Sequence, residues 1–268
     1  MNLATVDGWP GEHHAVAVVD ANGVRETHGD IGMRFALASV TKPLVAYAVL
    51  VAIEERSLDL DAPIALGTSL RHLLAHASGM AADERRLVAP PATRRIYSNA
   101  GFEVIGDLLA DATGMTPGDY LAEAVFGPLG MRETSLDGSP ASGAISTVHD
   151  LARFARELLV PALISQETFD AATTVQLPGL DGVLPGFGRQ SPNDWGLGFE
   201  IRGKKHPHWT APNGSSRTYG HFGRTGTFLW IDPDARIACA YLGDADFDKW
   251  AVDAWPAFSS SVLEAAAG

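Results

Sequence analysis

Apolar segments typical of β-strands lie near both ends of the chain, and a long helical stretch separates them. Near the N-terminus, residues 14–19 and 24–28 predict a hairpin around a turn at 20–23. Near the C-terminus we expect three more strands and a final helix, over residues 195–202, 219–231, 236–242 and 247–267 with a break at Pro256. Strands from both ends favour a single antiparallel sheet, with the middle of the chain inserted into it.

The middle of the chain, residues 59–176, has helical spacing and little strand pattern. Helices are expected over residues 39–56, 102–113, 116–126, 147–159 and 165–175. We therefore predict an α+β fold in which the sheet is flanked by helices and carries an inserted all-helical subdomain. The predicted sheet domain comprises residues 1–58 and 190–268, and the helical subdomain comprises 59–189. A catalytic cleft would lie between these two parts.

Composition excludes several classes of protein. The chain has 268 residues and a net charge of −12, which disfavours nucleic acid as a partner. Its one cysteine, Cys239, lies in an apolar run and is expected to be a buried, inert thiol. The longest apolar stretch, residues 44–53, is too short to cross a bilayer, and residues 1–11 lack the pattern of a secretion signal. These features predict a cytoplasmic protein that does not bind membranes, and they leave the oligomeric state open.

The first candidate for chemistry is the segment Ser39-Val40-Thr41-Lys42. A spacing of three places Ser39 and Lys42 on one face of the predicted helix. Lys42 is the only charged residue between Arg34 and Glu54, so burial should lower its pKa and allow it to accept the serine proton. The alternative is a capping serine beside a solvated lysine.

Two further segments carry polar groups suited to a reacting site. Tyr97-Ser98-Asn99 precedes a predicted helix, where a tyrosine could relay a proton and an asparagine amide could hold a carbonyl group. In the glycine-flanked segment 220–226, His221 lies on a strand. The backbone N–H of Arg224 could then stabilise an oxyanion together with that of Ser39. The alternatives are a helix cap for the first segment and a bulged strand with a fully bonded histidine for the second.

These three segments, in this order, resemble the motifs of the serine β-lactamase and penicillin-binding-protein superfamily. Ser39–Lys42 is similar to its SxxK motif, Tyr97–Asn99 to YxN, and His221–Gly223 to the KTG or HxG motif. Three more stretches also match, at residues 72–79, 143–147 and 195–199. The resemblance covers nearly the whole chain and is nearest to the class C-like branch of esterases, D-aminopeptidases and amidases.

The resemblance implies a catalytic role for three residues. Ser39 would be the acylated nucleophile, and Lys42 and Tyr97 would share the work of general base. Tyr97 would then return the proton to the leaving group. A water molecule, or an amine or alcohol acceptor, would release the acyl group.

Four more residues would bind the substrate. Asn99 would orient it, while His221, Gly223 and Arg224 would line the opposite wall of the cleft. The resemblance thus implies a serine hydrolase acting on a small ester or amide, with no metal and no organic cofactor. Because many β-lactamases have lysine where this chain has His221, esters or amides are favoured over penicillins. The alternatives are a transacylase and a catalytically silent binding protein of the same fold.

Some other polar segments are expected to be solvated. His206-Pro207-His208 is interpreted as surface, with a smaller chance of lining the cleft beside Trp209. The pairs Arg85-Arg86 and Arg94-Arg95 are interpreted as solvated, although they would meet an acidic substrate if they flanked the cleft. Substrate selectivity is expected to depend on three loops, at residues 79–95, 179–194 and 204–217.

Overall fold

The computed structural model describes residues 1–267, except for the side chain of Leu66. Thirteen strands are present in this part of the chain. They are β1 (His14–Asp20), β2 (Gly23–Gly29), β3 (Phe35–Ala36), β4 (Pro63–Ile64), β5 (Thr68–Ser69), β6 (Ser135–Leu136), β7 (Ala144–Ser146), β8 (Gly182–Leu184), β9 (Gly188–Gln190), β10 (Glu200–Ile201), β11 (Tyr219–Gly223), β12 (Thr227–Asp232) and β13 (Ile237–Gly243).

Eight α-helices accompany these strands in residues 1–267. They are α1 (Thr41–Glu54), α2 (Leu70–Leu74), α3 (Asn99–Thr113), α4 (Pro117–Leu121), α5 (Gly127–Leu129), α6 (Val148–Leu159), α7 (Gln166–Thr173) and α8 (Lys249–Ala267). A π-helical turn at Ala122–Phe126 connects α4 to α5. None of the helices described has the length and apolar character needed to cross a membrane.

The main sheet has six antiparallel strands in the order β10-β11-β12-β13-β1-β2. The strand from the N-terminal end, β1, pairs with β13 from the C-terminal end along its whole length, from His14 opposite Gly243 to Asp20 opposite Ile237. The prediction of an α+β fold with one sheet built from both chain ends is therefore confirmed. In this register Val16 lies opposite Tyr241 and Val18 opposite Cys239, so apolar side chains contact each other across the two strands.

Both faces of this sheet are buried. Ala15, Ala17 and Val19 of β1 face one hydrophobic core, which contains α1, α3 and α6. The alternate residues Val16 and Val18 face a second core, covered by α8. Cys239 lies in this second core as a buried free thiol, and burial raises its pKa. Helix α1 is apolar around almost its whole circumference, and nearly all of its residues are buried.

Three elements differ from the sequence-based predictions. Residues 219–231 form two strands, β11 and β12, rather than one. Only two residues of the predicted strand 195–202 pair in the sheet, because Gly198 has a φ of 83° and approaches α1 closely. A Cβ at Gly198 would lie 2.1 Å from that of Ala46. Helix α8 continues through Pro256 instead of breaking there.

The segment predicted as a helical subdomain contains short strands that its pattern does not reveal. β3, before α1, pairs with β7, which in turn pairs with β6. Helix α6, also within 59–189, packs on the central strands β1 and β13. The division into domains at residues 59 and 189 stays a prediction.

Candidate active site

Ser39 lies in a tight 3-10 turn, Ala38–Val40, immediately before helix α1. Ala38 has a φ of 46°, a left-handed conformation that is uncommon for a residue with a Cβ. Two threonine hydroxyl groups, from the β11–β12 turn and the start of β12, hold this segment in place. Thr227 Oγ1 donates to the carbonyl oxygen of Leu37 at 2.9 Å, and Thr225 Oγ1 donates to that of Ala36 at 2.7 Å. The strain at Ala38 is thus maintained by neighbouring contacts, as is common at functional sites.

Lys42 lies one turn further along and is completely buried. Its Nζ is 3.2 Å from Ser39 Oγ, 2.8 Å from Asn99 Oδ1 and 2.8 Å from the carbonyl oxygen of Ala141. Burial lowers the pKa of Lys42 to about 7, although the carboxylates of Asp83 and Glu103 act to raise it. A substantial fraction of this lysine is therefore uncharged at neutral pH.

Tyr97 approaches Ser39 from the loop before α3. Its hydroxyl donates to Ser39 Oγ at 2.8 Å, and Lys42 Nζ lies 4.7 Å from the centre of its ring. Burial raises the pKa of Tyr97, so the phenol keeps its proton at neutral pH. Behind it, the ring of His76 lies 4.6 Å away, and His76 Nδ1 accepts a hydrogen bond from the Ser98 N–H.

Asn99 begins helix α3 and faces Lys42 with its amide oxygen. Its Nδ2 donates to Asp83 Oδ1 at 2.8 Å. Because a carboxylate only accepts, this bond fixes the orientation of the Asn99 amide and directs its oxygen to Lys42. Ser98 caps the helix, since its Oγ accepts from the N–H of Gly101 at 2.9 Å.

The opposite wall comes from β11. His221 is buried, and its Nδ1 lies 2.7 Å from the Phe222 carbonyl oxygen. Since a carbonyl only accepts, Nδ1 carries the proton. Burial, together with the charge of Lys42, lowers the pKa of His221 to about 3, so the ring is neutral. Gly223 allows β11 to approach the serine turn, because a Cβ there would lie 2.4 Å from the Leu37 carbonyl oxygen.

These residues enclose a cavity of about 700 Å³. Its wall includes Ser39, Tyr97, Asn99, His221 and Arg224, while Lys42 lies buried behind Ser39. Apolar side chains complete it, notably those of Leu184, Trp195, Phe222 and Phe247. The structure therefore brings the predicted site residues together around one opening. Their catalytic and binding roles stay predictions.

Comparison with known proteins identifies the family. The sequence profile of the beta-lactamase family matches residues 13–257. The chain belongs to this family. The family resemblance drawn from its three motifs is therefore confirmed.

Relatives of known structure share the whole fold. A crystal structure titled as a beta-lactamase, Mb2281c from Mycobacterium bovis, is 52% identical, covers 99% of each chain and superposes with a TM-score of 0.98. EstCE1, titled as a hydrolase with promiscuous acyltransferase activity, has a TM-score of 0.78 at 16% identity and covers 96% of this chain and 95% of its own. At that identity the likeness to EstCE1 shows the fold alone.

Curated relatives are longer than this chain. A Salmonella paratyphi B protein named "Putative D-alanyl-D-alanine carboxypeptidase" is 26% identical over an alignment of 198 positions, which covers 58% of this chain and 46% of that protein. The chain thus matches about half the length of these relatives.

The sequence analysis missed a buried charged cluster behind the cavity. Glu200, which also borders the cavity, accepts hydrogen bonds from His208 Nε2 at 2.9 Å and Trp209 Nε1 at 3.0 Å, and forms an ion pair with Lys205. Burial would raise the pKa of Glu200, but the charges of His208 and Lys205 hold it below its usual range. Lys205, His208 and Trp209 follow Glu200 through a loop and not at helical spacing, so no periodic sequence pattern predicts that they meet.

Two polar segments expected at the surface are partly buried. His206 is exposed, but His208 is buried in the cluster with Glu200, so the surface interpretation of this histidine is wrong. Arg95 is also buried, so its solvated interpretation is wrong, and its guanidinium donates to the backbone carbonyl oxygens of Ala75, Leu177 and Asn193. Arg94 is exposed, as expected. Within residues 1–267, no group of three or more His, Cys, Asp or Glu side chains is arranged to hold a metal ion.

Proposed function

We propose that the chain cleaves a small ester or amide through an acyl-enzyme formed on Ser39. One observation carries this proposal: Ser39 Oγ contacts both Lys42 Nζ, at 3.2 Å, and the Tyr97 hydroxyl, at 2.8 Å. The pKa values of these two partners move in opposite directions, because burial lowers that of Lys42 and raises that of Tyr97. A base and an acid therefore meet at one nucleophile.

The hydrogen-bond partners of Lys42 support its role as the base. Two of them, Asn99 Oδ1 and the Ala141 carbonyl oxygen, can only accept. A neutral amine has two hydrogens for these two acceptors and one lone pair, which is left for the Ser39 hydroxyl proton. The neutral form of Lys42 thus satisfies all three neighbours, and its lowered pKa makes that form available.

The reaction then proceeds in two steps. Lys42 takes the proton of Ser39 as Oγ bonds to the substrate carbonyl carbon, and the carbonyl oxygen becomes an oxyanion near the backbone N–H groups of Ser39 and Arg224. Tyr97 gives its proton to the leaving alcohol or amine, and the proton held by Lys42 replaces it. A water molecule attacks the acyl-Ser39 ester in the second step, loses a proton to the same base, and Ser39 Oγ regains a proton as the acid leaves.

The wall opposite Ser39 favours uncharged substrates near the reacting carbonyl. His221 is neutral and therefore supplies no positive charge for the carboxylate of a penicillin. The cavity wall also contains the exposed residues Arg224 and Asp246, whose charges have opposite sign. The relative Mb2281c is described as a beta-lactamase, so β-lactam hydrolysis is the alternative activity. A direct assay must compare the rates of ester and β-lactam hydrolysis.

Acyl transfer to an alcohol or amine is a second candidate. EstCE1, which shares the fold, is titled as a hydrolase with promiscuous acyltransferase activity. The cavity of about 700 Å³ has room for an acceptor beside a small acyl group. Measuring the acid and the transfer product in the presence of added amines would separate the two reactions.

The experiment that tests the proposal compares p-nitrophenyl butyrate and a chromogenic cephalosporin as substrates of the wild-type enzyme and Ser39→Ala. We expect the wild type to hydrolyse the ester faster than the cephalosporin. Ser39→Ala should lose the ester hydrolysis and should unfold at the same midpoint temperature as the wild type. A fluorophosphonate probe should add its mass to the peptide that contains Ser39.

Ser142→Ala is the matched control, because Ser142 is a second serine in the wall of the same cavity. Its labelling by the probe should match that of the wild type. Equal ester hydrolysis by wild type and Ser39→Ala would remove Ser39 from the mechanism. Failure of the folded wild type to form any adduct would instead support the catalytically silent alternative.

A further inference from the structure

A second concavity, of about 750 Å³, adjoins the catalytic cavity. Tyr97, whose hydroxyl contacts Ser39, and Pro185 belong to the walls of both. Its sides come from residues 82–97 and 181–189, two of the loops on which substrate selectivity is expected to depend. A substrate with one end at Ser39 has a direct path into this groove. We call it the side groove.

The side groove is unusually apolar for a surface feature. Within the described residues, four large apolar side chains are strongly exposed: Val24, Val88, Val160 and Val183. Two of these four, Val88 at 40% exposure and Val183 at 59%, line the side groove. Ile96 and Pro185 extend the same surface. An apolar segment of a ligand would shield these side chains from water.

The side groove is also positively charged in an acidic protein. Its wall contains three arginines and one aspartate, whereas the chain as a whole has 20 Lys and Arg against 32 Asp and Glu. Arg95 is buried and bonded to backbone carbonyls, and Arg189 pairs with Asp181 at 3.2 Å. The exposed guanidinium of Arg94 makes no ion pair or hydrogen bond with any residue in the described part of the chain.

We propose that the side groove is a subsite for a substrate arm that is apolar along its length and ends in a carboxylate, which Arg94 binds. The inference rests on the proposed acyl transfer at Ser39 and names a substrate class for it: monoesters or monoamides of linear dicarboxylic acids. The neutral His221 wall receives the reacting end, and the carboxylate lies away from it. Arg94 precedes Tyr97 by three residues, a backbone span of at most about 10 Å, so an arm of several methylene groups reaches it.

The test uses p-nitrophenyl monoesters of dicarboxylic acids with four to ten carbons, each paired with the neutral alkanoate of the same length. We expect one of the longer acidic esters to have a KM about threefold to tenfold lower than its neutral partner at low salt. Added NaCl should reduce this preference, because the guanidinium is exposed. Arg94→Gln should abolish it and leave hydrolysis of the neutral esters unchanged.

Arg85→Gln is the matched control, since Arg85 is an exposed arginine of the same loop that pairs with Asp107 and does not line the side groove. It should keep the preference for the acidic ester. The proposal is overturned if the wild type shows no preference at any chain length, or if the preference survives in Arg94→Gln.

A binding measurement separates failure of this proposal from failure of the proposed function. Suberic acid monomethyl ester is titrated calorimetrically into Ser39→Ala. This measurement of binding does not depend on turnover. Binding that disappears in Ser39→Ala/Arg94→Gln supports the subsite even if no ester is hydrolysed. Equal binding by both variants, or no binding by either, rejects it even if the neutral esters are good substrates.

Discussion

Two lysines are buried in this molecule, and their surroundings differ in one decisive respect. Lys42 and Lys205 are both almost inaccessible to water, and burial lowers the pKa of each. The oxygen atoms that touch Lys42 are all uncharged: a hydroxyl, an amide and a backbone carbonyl. Lys205 instead forms an ion pair with the buried carboxylate of Glu200.

The comparison separates the effect of burial from the effect of the partner. Without an adjacent carboxylate, burial brings the pKa of Lys42 to about 7. Burial also lowers the pKa of Lys205, but there the carboxylate of Glu200 opposes the effect of burial. A buried lysine therefore serves as a base only where its neighbours are neutral, and otherwise it holds structure together.

The largest expected effect is on activity at Lys42. Lys42→Met removes the base from an otherwise neutral pocket, so kcat/KM for p-nitrophenyl butyrate should fall by about a thousandfold or more. The free energy of unfolding in urea should fall by less than in Lys205→Met, because the change leaves two neutral acceptors without a donor but no buried charge unpaired. A large loss of stability with modest loss of activity would reverse the roles assigned to the two lysines.

Lys205→Met should have the opposite outcome. It removes the ammonium group that pairs with the buried Glu200 carboxylate and leaves only His208 and Trp209 beside it. We expect a loss of about 3–5 kcal/mol in the free energy of unfolding. Adding Glu200→Gln should restore part of this stability, since the unpaired carboxylate is gone. Urea unfolding of the two single variants and the double variant measures the coupling. Additive effects would show that Lys205 and Glu200 do not stabilise each other.

The pH dependence of activity should follow the neutral fraction of Lys42. kcat/KM should rise with pH and level off above an apparent pKa of about 7, because the protonated amine cannot accept the Ser39 proton. The charged or titratable groups that affect Lys42 are Asp83, Glu103, His76 and His221. Asp83 raises the pKa of Lys42, so Asp83→Asn should move the rise to lower pH by roughly half a unit.

Glu84→Gln is the control for this shift. Glu84 is the next residue in the same exposed loop and pairs with Arg86 instead of contacting Asn99. Its pH profile should coincide with that of the wild type. A shift of the same size in both variants would mean that loop charge in general, rather than the Asp83 contact, sets the profile.

The smallest effect is expected at His221. Because its pKa lies near 3, the ring does not change charge between pH 5 and 9. His221→Gln should therefore leave the apparent pKa of the kcat/KM profile in place while KM rises by about tenfold or less. Loss of a second ionisation in the variant would show that His221 titrates during catalysis.

The sequence was sufficient to predict one part of the site. Ser39 and Lys42 are three residues apart in an apolar segment, and helical geometry alone places them together with a lowered pKa on the lysine. The hairpin at the N-terminus and the strands at the other end likewise followed from short apolar runs bounded by turn residues, and their pairing gives the sheet. The segments of Tyr97 and His221 also carried polar groups suited to a site, but only the resemblance to a family joined them to Ser39, since nothing local shows that these distant segments meet it.

The Glu200 cluster could not have been predicted in the same way. Lys205 and His208 follow Glu200 through a loop, and their burial depends on how β10, β11 and that loop pack, which is a tertiary property. The same reason applies to Arg95 beside the exposed Arg94. Adjacent arginines look equivalent in a sequence, but Arg95 donates hydrogen bonds to backbone carbonyl oxygens and Arg94 faces solvent.

The most direct measurement of the central claim is the titration of Lys42 itself. The chain has only four lysines, at 42, 204, 205 and 249, so biosynthetic labelling with ¹³C,¹⁵N-lysine gives four side-chain signals that Lys→Arg variants can assign. NMR spectra across a pH series should show Lys42 losing its proton near pH 7, whereas the ion pair with Glu200 should keep Lys205 protonated at that pH. A Lys42 signal that is still fully protonated at pH 9 would contradict the assignment of Lys42 as the base that activates Ser39.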